Sequence, residues 1–154
     1  MAKSAEQKAK MMLIYKMLYE KTDENHNMTV NDMIEELNAM GIKAERKSIY
    51  NDLKVLKDMG YDIIGTKSRT YSYYMGSREF QMPELKLIID AVVSAKFLTA
   101  KKTKDLVEGL CKLTSRTMKK ELVSNTGAYN RNKSTNENVY YNINSINEAI
   151  AKNA

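Results

Sequence analysis

Residues 45–61, ERKSIYNDLKVLKDMGY, constrain the fold more than any other stretch because they carry two helical patterns at once. Ile49, Leu53 and Leu56 recur at the spacing of one helical face, which predicts packing against a core. The residues on the opposite face are polar: Lys47, Tyr50, Asn51 and Lys54. The sequence therefore predicts a helix over 45–59 with a buried side and an exposed, basic side.

A second helix precedes this one at the spacing of a helix-turn-helix. Thr29 can cap its start, with Asp32 three residues later in a capping box, and Gly41 follows its end. The helix over 45–59 is closed in the same way by Gly60. Two helices joined by a short turn that contains glycine are typical of DNA-binding helix-turn-helix motifs.

A β-hairpin is predicted directly after the helix over 45–59. YDII (61–64) and YSYYM (71–75) are strand signals, and GTKSRT (65–70) is rich in turn-forming residues. Lys67 and Arg69 fall at the tip of this hairpin. A hairpin behind a recognition helix is the wing of a winged helix, and its two cations could reach phosphate or the minor groove.

Composition favours a mostly helical protein with an uneven charge distribution. One Pro and six Gly in 154 residues leave long stretches uninterrupted, and 5–21 reads as a first helix. The formal net charge is +6, yet 22–42 contain five acidic residues and no Lys or Arg, whereas 43–71 contain seven cations against four anions. This sidedness suits a polyanionic partner. A further basic run, 96–120, is expected to face solvent.

The polar face of the helix over 45–59 has the chemistry of a DNA-reading surface. Asn pairs with adenine and Lys with guanine in the major groove, so Lys47, Tyr50 and Asn51 are assigned to the groove floor or its rim. The predicted phosphate contacts are Arg46, Lys54, Lys67 and Arg69. Thr29 and Ser48 complete the predicted DNA-binding set. Asp52 is interpreted as structural. The alternative is that these residues only solubilise an exposed helix.

The segment up to Ile63 resembles the N-terminal winged helix of WYL-domain transcriptional regulators from Gram-positive bacteria. ERKSIYNDL (45–53) is similar to that family's recognition-helix pattern, except that Asn51 stands where the family commonly has Arg. The resemblance continues through FQMPELKLIIDAVVSAKFLTAKKTKDLVEGLCKLTS (80–115) and NENVYYNINSINEAI (136–150). It implies a bacterial regulator that binds double-stranded DNA. The N-terminus MAKSAEQKAK has no signal-peptide core, which predicts a cytoplasmic location.

The resemblance also predicts how the chain is organised. We expect a winged helix-turn-helix over 1–78, a helical linker or dimerisation region over 79–124, and an extended linker with a short helix over 125–154. Family members continue into a β-rich WYL domain that senses an effector, and this chain stops at Ala154. We expect either a shortened regulator or a naturally short relative, in which an effector would need the missing sensor domain.

The region over 79–124 is predicted to be the interface of a homodimer. Two copies that bind the two half-sites of an operator are related by a two-fold axis. PELKLIIDAVVSAKF is apolar around much of its circumference, and Thr99 can cap a following helix. The predicted interface residues are Leu85, Ile88, Ile89, Val92, Leu106 and Leu110. The alternative is that these side chains are simply core. NTGAYNRNKSTNEN (125–138) reads as a linker or an arm that swaps between protomers, and a short helix is expected to start at Asn144 or Ser145.

Other function classes have little support in the sequence. His26 lies in a polar loop without ligands at metal spacing, so no metal site, cofactor or catalytic residue is predicted. Cys111 lies in a helical apolar pattern and reads as a small buried hydrophobe. No apolar run is long enough to span a bilayer. The competing interpretation is a protein-interaction or assembly module that uses a winged-helix scaffold without reading DNA.

Overall fold

The computed structural model describes residues 2–125, 133–136 and 138–152. The chain is mostly helical and contains one small antiparallel sheet, in agreement with the prediction of a mostly helical protein with a β-hairpin. Among the described helices, none combines the length and the apolar character that a membrane span requires.

The described residues divide into two compact units. The first contains the chain through Glu79 together with the short segment Thr114–Thr117, and the second contains Phe80–Leu113 and the described residues from Met118 onward. The division after Glu79 lies one residue from the boundary predicted at 78. The sequence did not indicate that Thr114–Thr117 would join the first unit.

The first unit contains three helices and three short strands. In chain order they are α1 (Ala2–Lys21), β1 (Met28–Thr29), α2 (Val30–Ala39), α3 (Arg46–Asp58), β2 (Ile63–Lys67) and β3 (Tyr71–Met75). The strands form one sheet in the order β1-β3-β2, with both pairings antiparallel. β1 is too short to be recognised by an alternating pattern, and the sequence analysis missed it.

The ends of α2 and α3 form as their sequences predict. The Thr29 hydroxyl accepts a hydrogen bond from the backbone of Asp32, whose carboxylate accepts one from the backbone of Thr29, so that the capping box is complete. Gly41 and Gly60 follow the two helices with φ angles of +79° and +93°, a backbone conformation that glycine adopts at little cost. The bounds of α2 and α3 and the spacing between them are therefore determined locally.

β2 lies further along the chain than the strand predicted over 61–64, because it begins only at Ile63. β2 continues through Lys67, which pairs with Tyr71, so the turn is confined to Ser68–Thr70. The residues GTK were assigned to the turn because the run GTKSRT is rich in turn-forming residues. Pairing with β3 overrides that local preference.

A single core holds the first unit together, and every helix and strand of the unit supplies at least one residue to it. Its largest fully buried side chains are Ile14, Leu18, Met33, Leu37, Ile49 and Leu56. Ile49, Leu53 and Leu56 of α3 are each at most 2% exposed, which confirms the buried face predicted for that helix. Because this face is buried in the core, the opposite face of α3 is turned toward solvent.

The second unit is built from helices. They are α4 (Met82–Ser94), α5 (Ala100–Leu110), a short 3₁₀ turn (Cys111–Leu113), α6 (Arg116–Asn125), whose first two residues belong to the first unit, and α7 (Asn138–Ala151). Thr99 caps α5 as predicted, accepting a hydrogen bond from the backbone of Lys102. The core residues are Leu85, Ile89, Val93, Val107, Cys111 and Leu122.

Two of the six residues predicted for the dimer interface were assigned wrongly. Leu85 and Ile89 are fully buried in the core of the second unit, so they have no surface to offer a partner. The four others, Ile88, Val92, Leu106 and Leu110, are half-buried. The apolar circumference of α4 is explained mainly by packing within its own unit, although Leu87 remains 72% exposed.

The last helix begins earlier than predicted. α7 starts at Asn138, whose backbone N–H donates to the side chain of Asn136, and not at Asn144 or Ser145. Asn144 instead donates to Glu148, and the Ser145 hydroxyl donates to the Tyr141 carbonyl, both within the helix. The Asn and Ser side chains therefore bond inside a helix that their composition does not predict. The arm predicted over 125–138 lies mostly outside the described residues.

Candidate nucleic-acid interface

The candidate interface is built on the exposed face of α3. Lys47, Asn51 and Lys54 are exposed on this face, opposite the buried Ile49, Leu53 and Leu56. Tyr50 lies at its flank with 41% of its surface exposed. The helix therefore presents two ammonium groups, an amide and a phenol from a rigid support, which is the donor set that can reach base edges and phosphates in a major groove.

Arg46 and Tyr50 form a pair along the edge of this face. The Arg46 guanidinium lies 3.5 Å from the Tyr50 hydroxyl, one helical turn away, and both side chains are exposed. This distance is the upper limit for a hydrogen bond, so the contact orients the two groups only weakly. Arg46 remains able to turn toward an anion while Tyr50 supplies a flat apolar surface and a hydroxyl.

The β2–β3 hairpin carries two further cations at its end. Lys67 is the last residue of β2 and Arg69 lies in the turn, and both are exposed. β1 joins this hairpin to the start of α2, because Thr29 pairs with Ser72 in the middle strand. A hydrogen bond of 3.0 Å from the Asn27 amide to the Thr66 hydroxyl reinforces the same junction. The hairpin is thus anchored to the segment that begins the helix pair.

The predicted cations are not engaged in ion pairs with described residues. Lys10, Lys16 and Lys21 of the same unit each pair with a carboxylate. No such pair within the described part of the chain involves the five interface cations: Arg46, Lys47, Lys54, Lys67 and Arg69. Their charge is available to a partner, whereas each of the other three ammonium groups lies within 4 Å of a carboxylate of the same unit.

Ser48 does not lie on this surface, which corrects its predicted role in DNA binding. It is half-buried on the side of α3 that faces α1, and its hydroxyl accepts a hydrogen bond from the Lys10 ammonium. The same ammonium lies 2.8 Å from a carboxylate oxygen of Asp52. Asp52 is therefore structural, as its position on the helix predicted, and Ser48 belongs to the same contact between α1 and α3.

Thr29 has its hydroxyl committed to the α2 cap. The hydroxyl donates to the Asp32 carboxylate at 2.8 Å while accepting from the Asp32 backbone. A carboxylate this close repels phosphate, so the hydroxyl of Thr29 is a poor donor to DNA. Its place at the start of α2 agrees with the predicted cap, and its direct contact with DNA stays a prediction.

The loop after α1 contains a buried polar cluster that the sequence did not reveal. Asp23 is 2% exposed and accepts hydrogen bonds from the Ser115 hydroxyl at 2.7 Å and from the backbone and ring of His26. Burial raises the pKa of the Asp23 carboxyl, but the hydrogen bonds from Ser115 and His26 outweigh it and the pKa is lowered. Ser115 is distant in sequence, so only the His26 contact had a local signal.

A second set of contacts in the same region anchors β3 and the chain beyond it. The backbone of Met75 donates to the Thr22 hydroxyl at 3.0 Å, and the Arg78 guanidinium donates to the Thr22 carbonyl at 2.7 Å. Arg78 also lies over the Tyr19 ring, 4.7 Å from its centre. The polar loop that contains His26 is therefore, at Thr22 and Asp23, part of the structural interior.

The sequence analysis also considered a cysteine thiol and a metal site. Cys111 is buried in the second unit, and burial raises the pKa of its thiol, which agrees with its interpretation as a small hydrophobe. Within the residues that the structure describes, no three His, Cys, Asp or Glu side chains are grouped as metal ligands would be.

Comparison of the chain with protein-family models, with curated proteins and with solved structures finds no match. The interpretation of the surface on α3 therefore depends on its own geometry and chemistry.

Proposed function

We propose that this protein is a sequence-specific, double-stranded DNA-binding transcriptional regulator that acts as a homodimer. In this proposal α2 and α3 are a helix-turn-helix, α3 is the recognition helix, and the β2–β3 hairpin is the wing. The resemblance of 45–53 to WYL-domain regulators points to the same function and stays a prediction.

The observation that carries the proposal is the exposed face of α3. Lys47, Asn51 and Lys54 face solvent from a helix whose opposite face is fully buried, and the cations on it are unpaired among the described residues. A solvated helix that needed only solubility would gain from ion pairs along its surface. Phosphates and base edges would supply the missing partners.

The contacts divide into two kinds. In this proposal Lys47 and Asn51 read base edges, with Tyr50 at the rim of the groove. Arg46, Lys54, Lys67 and Arg69 would contact phosphates and set the position of the protein on the duplex. The hairpin cations add affinity without discriminating sequence, so loss of specificity and loss of affinity should be separable by mutation.

The first experiment selects bound sites from a randomised duplex pool and measures affinity for the selected site and for a scrambled site. The double variant Lys47→Ala, Asn51→Ala should lose most of the preference, because a good bidentate base contact discriminates by about 1–3 kcal/mol. Each such contact is therefore worth roughly tenfold or more in relative affinity. Fluorescence anisotropy at fixed salt provides the measurement.

The matched control is Lys16→Ala with Asn38→Ala, which removes the same two residue types from exposed positions on α1 and α2. The control should keep the preference for the selected site. If the Lys47, Asn51 variant keeps it as well, α3 is not the reading helix. Failure to enrich any site, with binding that does not weaken as salt rises, would favour the assembly module instead.

A further inference from the structure

Tyr71, the first residue of β3, is an exposed aromatic side chain on the side of the hairpin that packs against the core. Side chains alternate along a strand, so Tyr71 shares this side with Tyr73 and Met75, which are 7% and 4% exposed. Tyr71 itself is 47% exposed. Its cross-strand partner is Lys67, whose side chain projects from the same side. An aromatic ring and a cation therefore lie next to each other near the end of the hairpin.

The ring of Tyr71 lies where a neighbouring residue has no side chain. A Cβ placed on Gly65 of β2 would lie 2.6 Å from the Tyr71 hydroxyl oxygen and 2.8 Å from Cε1, so the ring occupies the space above the Gly65 backbone. The ring also meets Tyr73 edge to face, with centroids 5.2 Å apart and planes at 63°. One side of the ring is thus covered, and the exposed remainder has little freedom to lose on binding.

Tyr73 connects this ring to α3. The Lys57 ammonium lies 5.8 Å from the centre of the Tyr73 ring. Burial raises the pKa of Tyr73, and the nearby hydroxyls of Tyr50 and Tyr71 raise it further. We call Tyr50, Tyr73 and Tyr71 the aromatic row. It runs from the exposed face of α3 to the hairpin, so aromatic surface connects the two parts of the candidate interface.

The charges beside the aromatic row indicate a nucleic-acid backbone as its partner. Lys57 lies beside Tyr73 and Lys67 beside Tyr71, and neither lysine forms an ion pair with a described residue. Nucleic acids alternate phosphates with sugar rings, so an aromatic ring between two cations matches that alternation. In a duplex the faces of the bases are stacked on one another, whereas the deoxyribose rings are open to an apolar contact. The group that meets the ring is therefore expected to be a deoxyribose.

We propose that Tyr71 packs against a deoxyribose of the bound duplex, on the strand that passes from α3 to Lys67. This inference rests on the proposed function and adds to its contacts a residue that the sequence analysis did not include. Because the contact is apolar, it adds affinity that salt does not screen and that depends little on the base sequence. Phosphate contacts, in contrast, weaken as the salt concentration rises.

Anisotropy titrations of the selected duplex at several salt concentrations test the contact. Tyr71→Ala should weaken binding about fivefold at every salt concentration, with an unchanged slope of log affinity against log salt concentration. Tyr71→Phe keeps the ring and should bind as the unmodified chain does. Tyr61→Ala is the matched control, since Tyr61 is also exposed but packs against Tyr15 of α1. An unchanged affinity for Tyr71→Ala overturns the proposal. A less steep slope also overturns it, because the variant would then only disturb the phosphate contacts of the hairpin.

Gly65→Ala tests whether the position of the ring matters. The added Cβ must displace the Tyr71 ring while the tyrosine stays in the chain, so Gly65→Ala should weaken duplex binding to a similar extent as Tyr71→Ala. In the Tyr71→Ala background, Gly65→Ala should have no further effect on affinity. Equal losses in both backgrounds would mean that Gly65 acts independently of the ring and would overturn the proposal.

A fluorescent probe measures the contact directly. The chain contains no Trp, so Tyr71→Trp introduces a single indole in place of the phenol. Its emission should be protected from quenching by acrylamide when the selected duplex is saturating. Tyr61→Trp should be quenched equally with and without the duplex. A Tyr71→Trp signal that the duplex does not protect overturns the proposal.

The same measurements separate this inference from the proposed function. If the unmodified chain enriches no duplex and its binding does not weaken as salt rises, the proposed function fails and the deoxyribose contact fails with it. If a duplex is selected but Tyr71→Ala binds it as tightly as the unmodified chain does, the contact fails and the function stands. If Tyr71→Ala weakens binding to a single-stranded oligonucleotide more than to the duplex, the ring stacks on an unpaired base and the deoxyribose contact is overturned.

Discussion

Lys10 and Asp52 show how a charged pair can hold α3 in place. Their side chains are 6% and 14% exposed, and Nζ lies 2.8 Å from Oδ2, although the angles are not those of a hydrogen bond. The attraction is therefore mainly electrostatic. It joins α1 to the flank of α3 at a point where the removal of one partner leaves a nearly buried charge without compensation.

We predict that Asp52→Ala and Lys10→Ala each lower the free energy of unfolding by about 2–4 kcal/mol, because each leaves an uncompensated charge. The double variant should be destabilised by clearly less than the sum of the two. Urea unfolding of the four proteins completes a double-mutant cycle. Additive effects would mean that the two side chains do not interact, and would remove this explanation for the position of Asp52.

Asp23 makes the stability of the first unit depend on pH. The pKa of its carboxyl is lowered when the protein is folded, from an ordinary value of 3.8. The carboxylate therefore contributes stability that is fully present above the unfolded pKa and is lost as the pH falls through the folded pKa. At neutral pH, Asp23→Asn should lower the free energy of unfolding by about 2–3 kcal/mol, since it removes hydrogen bonds to a charged group.

Urea unfolding at pH 7, 5 and 3 measures this dependence. The difference between Asp23→Asn and the unmodified protein should be largest at pH 7 and should shrink at pH 3. Glu24→Gln, at the exposed neighbouring position, is the control and should change stability little at any of the three pH values. A difference for Asp23→Asn that is the same at pH 7 and pH 3 would contradict the role given to its charge.

At the scale of elements, a glycine in the left-handed conformation follows the end of α3. Gly60 follows α3 with a φ of +93°, and a Cβ added there meets no atom within 4 Å. Any effect of Gly60→Ala is therefore due to backbone conformation and not to a clash. Gly109 lies within α5, likewise with no atom within 4 Å of an added Cβ, but without a positive φ.

The two glycines give opposite predictions for the same substitution. Gly60→Ala should lower the free energy of unfolding by about 1–2 kcal/mol, since alanine strains in a left-handed conformation. Gly109→Ala should raise it by about 0.5–1 kcal/mol, because alanine is the better residue inside a helix. Thermal and urea unfolding of both variants provide the comparison. A neutral Gly60→Ala would mean that the turn after α3 relaxes to another conformation.

The bounds of the helices and strands show where local sequence signals were sufficient to predict them. The starts of α2 and α5 and the ends of α2 and α3 lie where Thr, Asp and Gly residues predict them, because caps and turns involve groups only a few residues apart. The start of α7 was predicted wrongly, since Asn and Ser were read as cap residues although they bond within the helix. β1 was missed because two residues carry no alternating pattern.

On the scale of the whole molecule, charge is distributed in two basic regions with different expected roles. Lys67 and Arg69 lie at the hairpin of the proposed interface, whereas Lys104 is one of the exposed cations of the run 96–120, 3.9 Å from Glu108. Only cations that contact phosphate displace counterions from DNA. The dependence of affinity on salt can therefore tell the two regions apart.

We predict that Lys67→Ala with Arg69→Ala makes the plot of log affinity against log salt concentration less steep by about 0.9 per lost phosphate contact. Lys104→Ala should leave the slope unchanged. Anisotropy titrations between roughly 50 and 200 mM salt cover the range in which the effect is large. An equal reduction for Lys104→Ala would place the run 96–120 on the DNA as well and would contradict its expected exposure to solvent alone.

The sequence by itself determined the helical character, the capping box at Thr29, the turns at Gly41 and Gly60, and the two faces of α3. These features depend on periodicity and on hydrogen bonds between near neighbours, which residues a few positions apart specify. The same logic identified Lys47, Tyr50, Asn51 and Lys54 as the exposed set.

Only the tertiary structure decided which polar residues are structural and which apolar residues are exposed. Ser115 bonds to Asp23 from 92 residues away, and Lys10 reaches Ser48 across 38. Leu85 and Ile89 turned out to be core, while Ile146 and Ile150 remained on the surface. Apolar periodicity predicts that a helix has a face to bury. Which residues cover that face depends on the path of the whole chain.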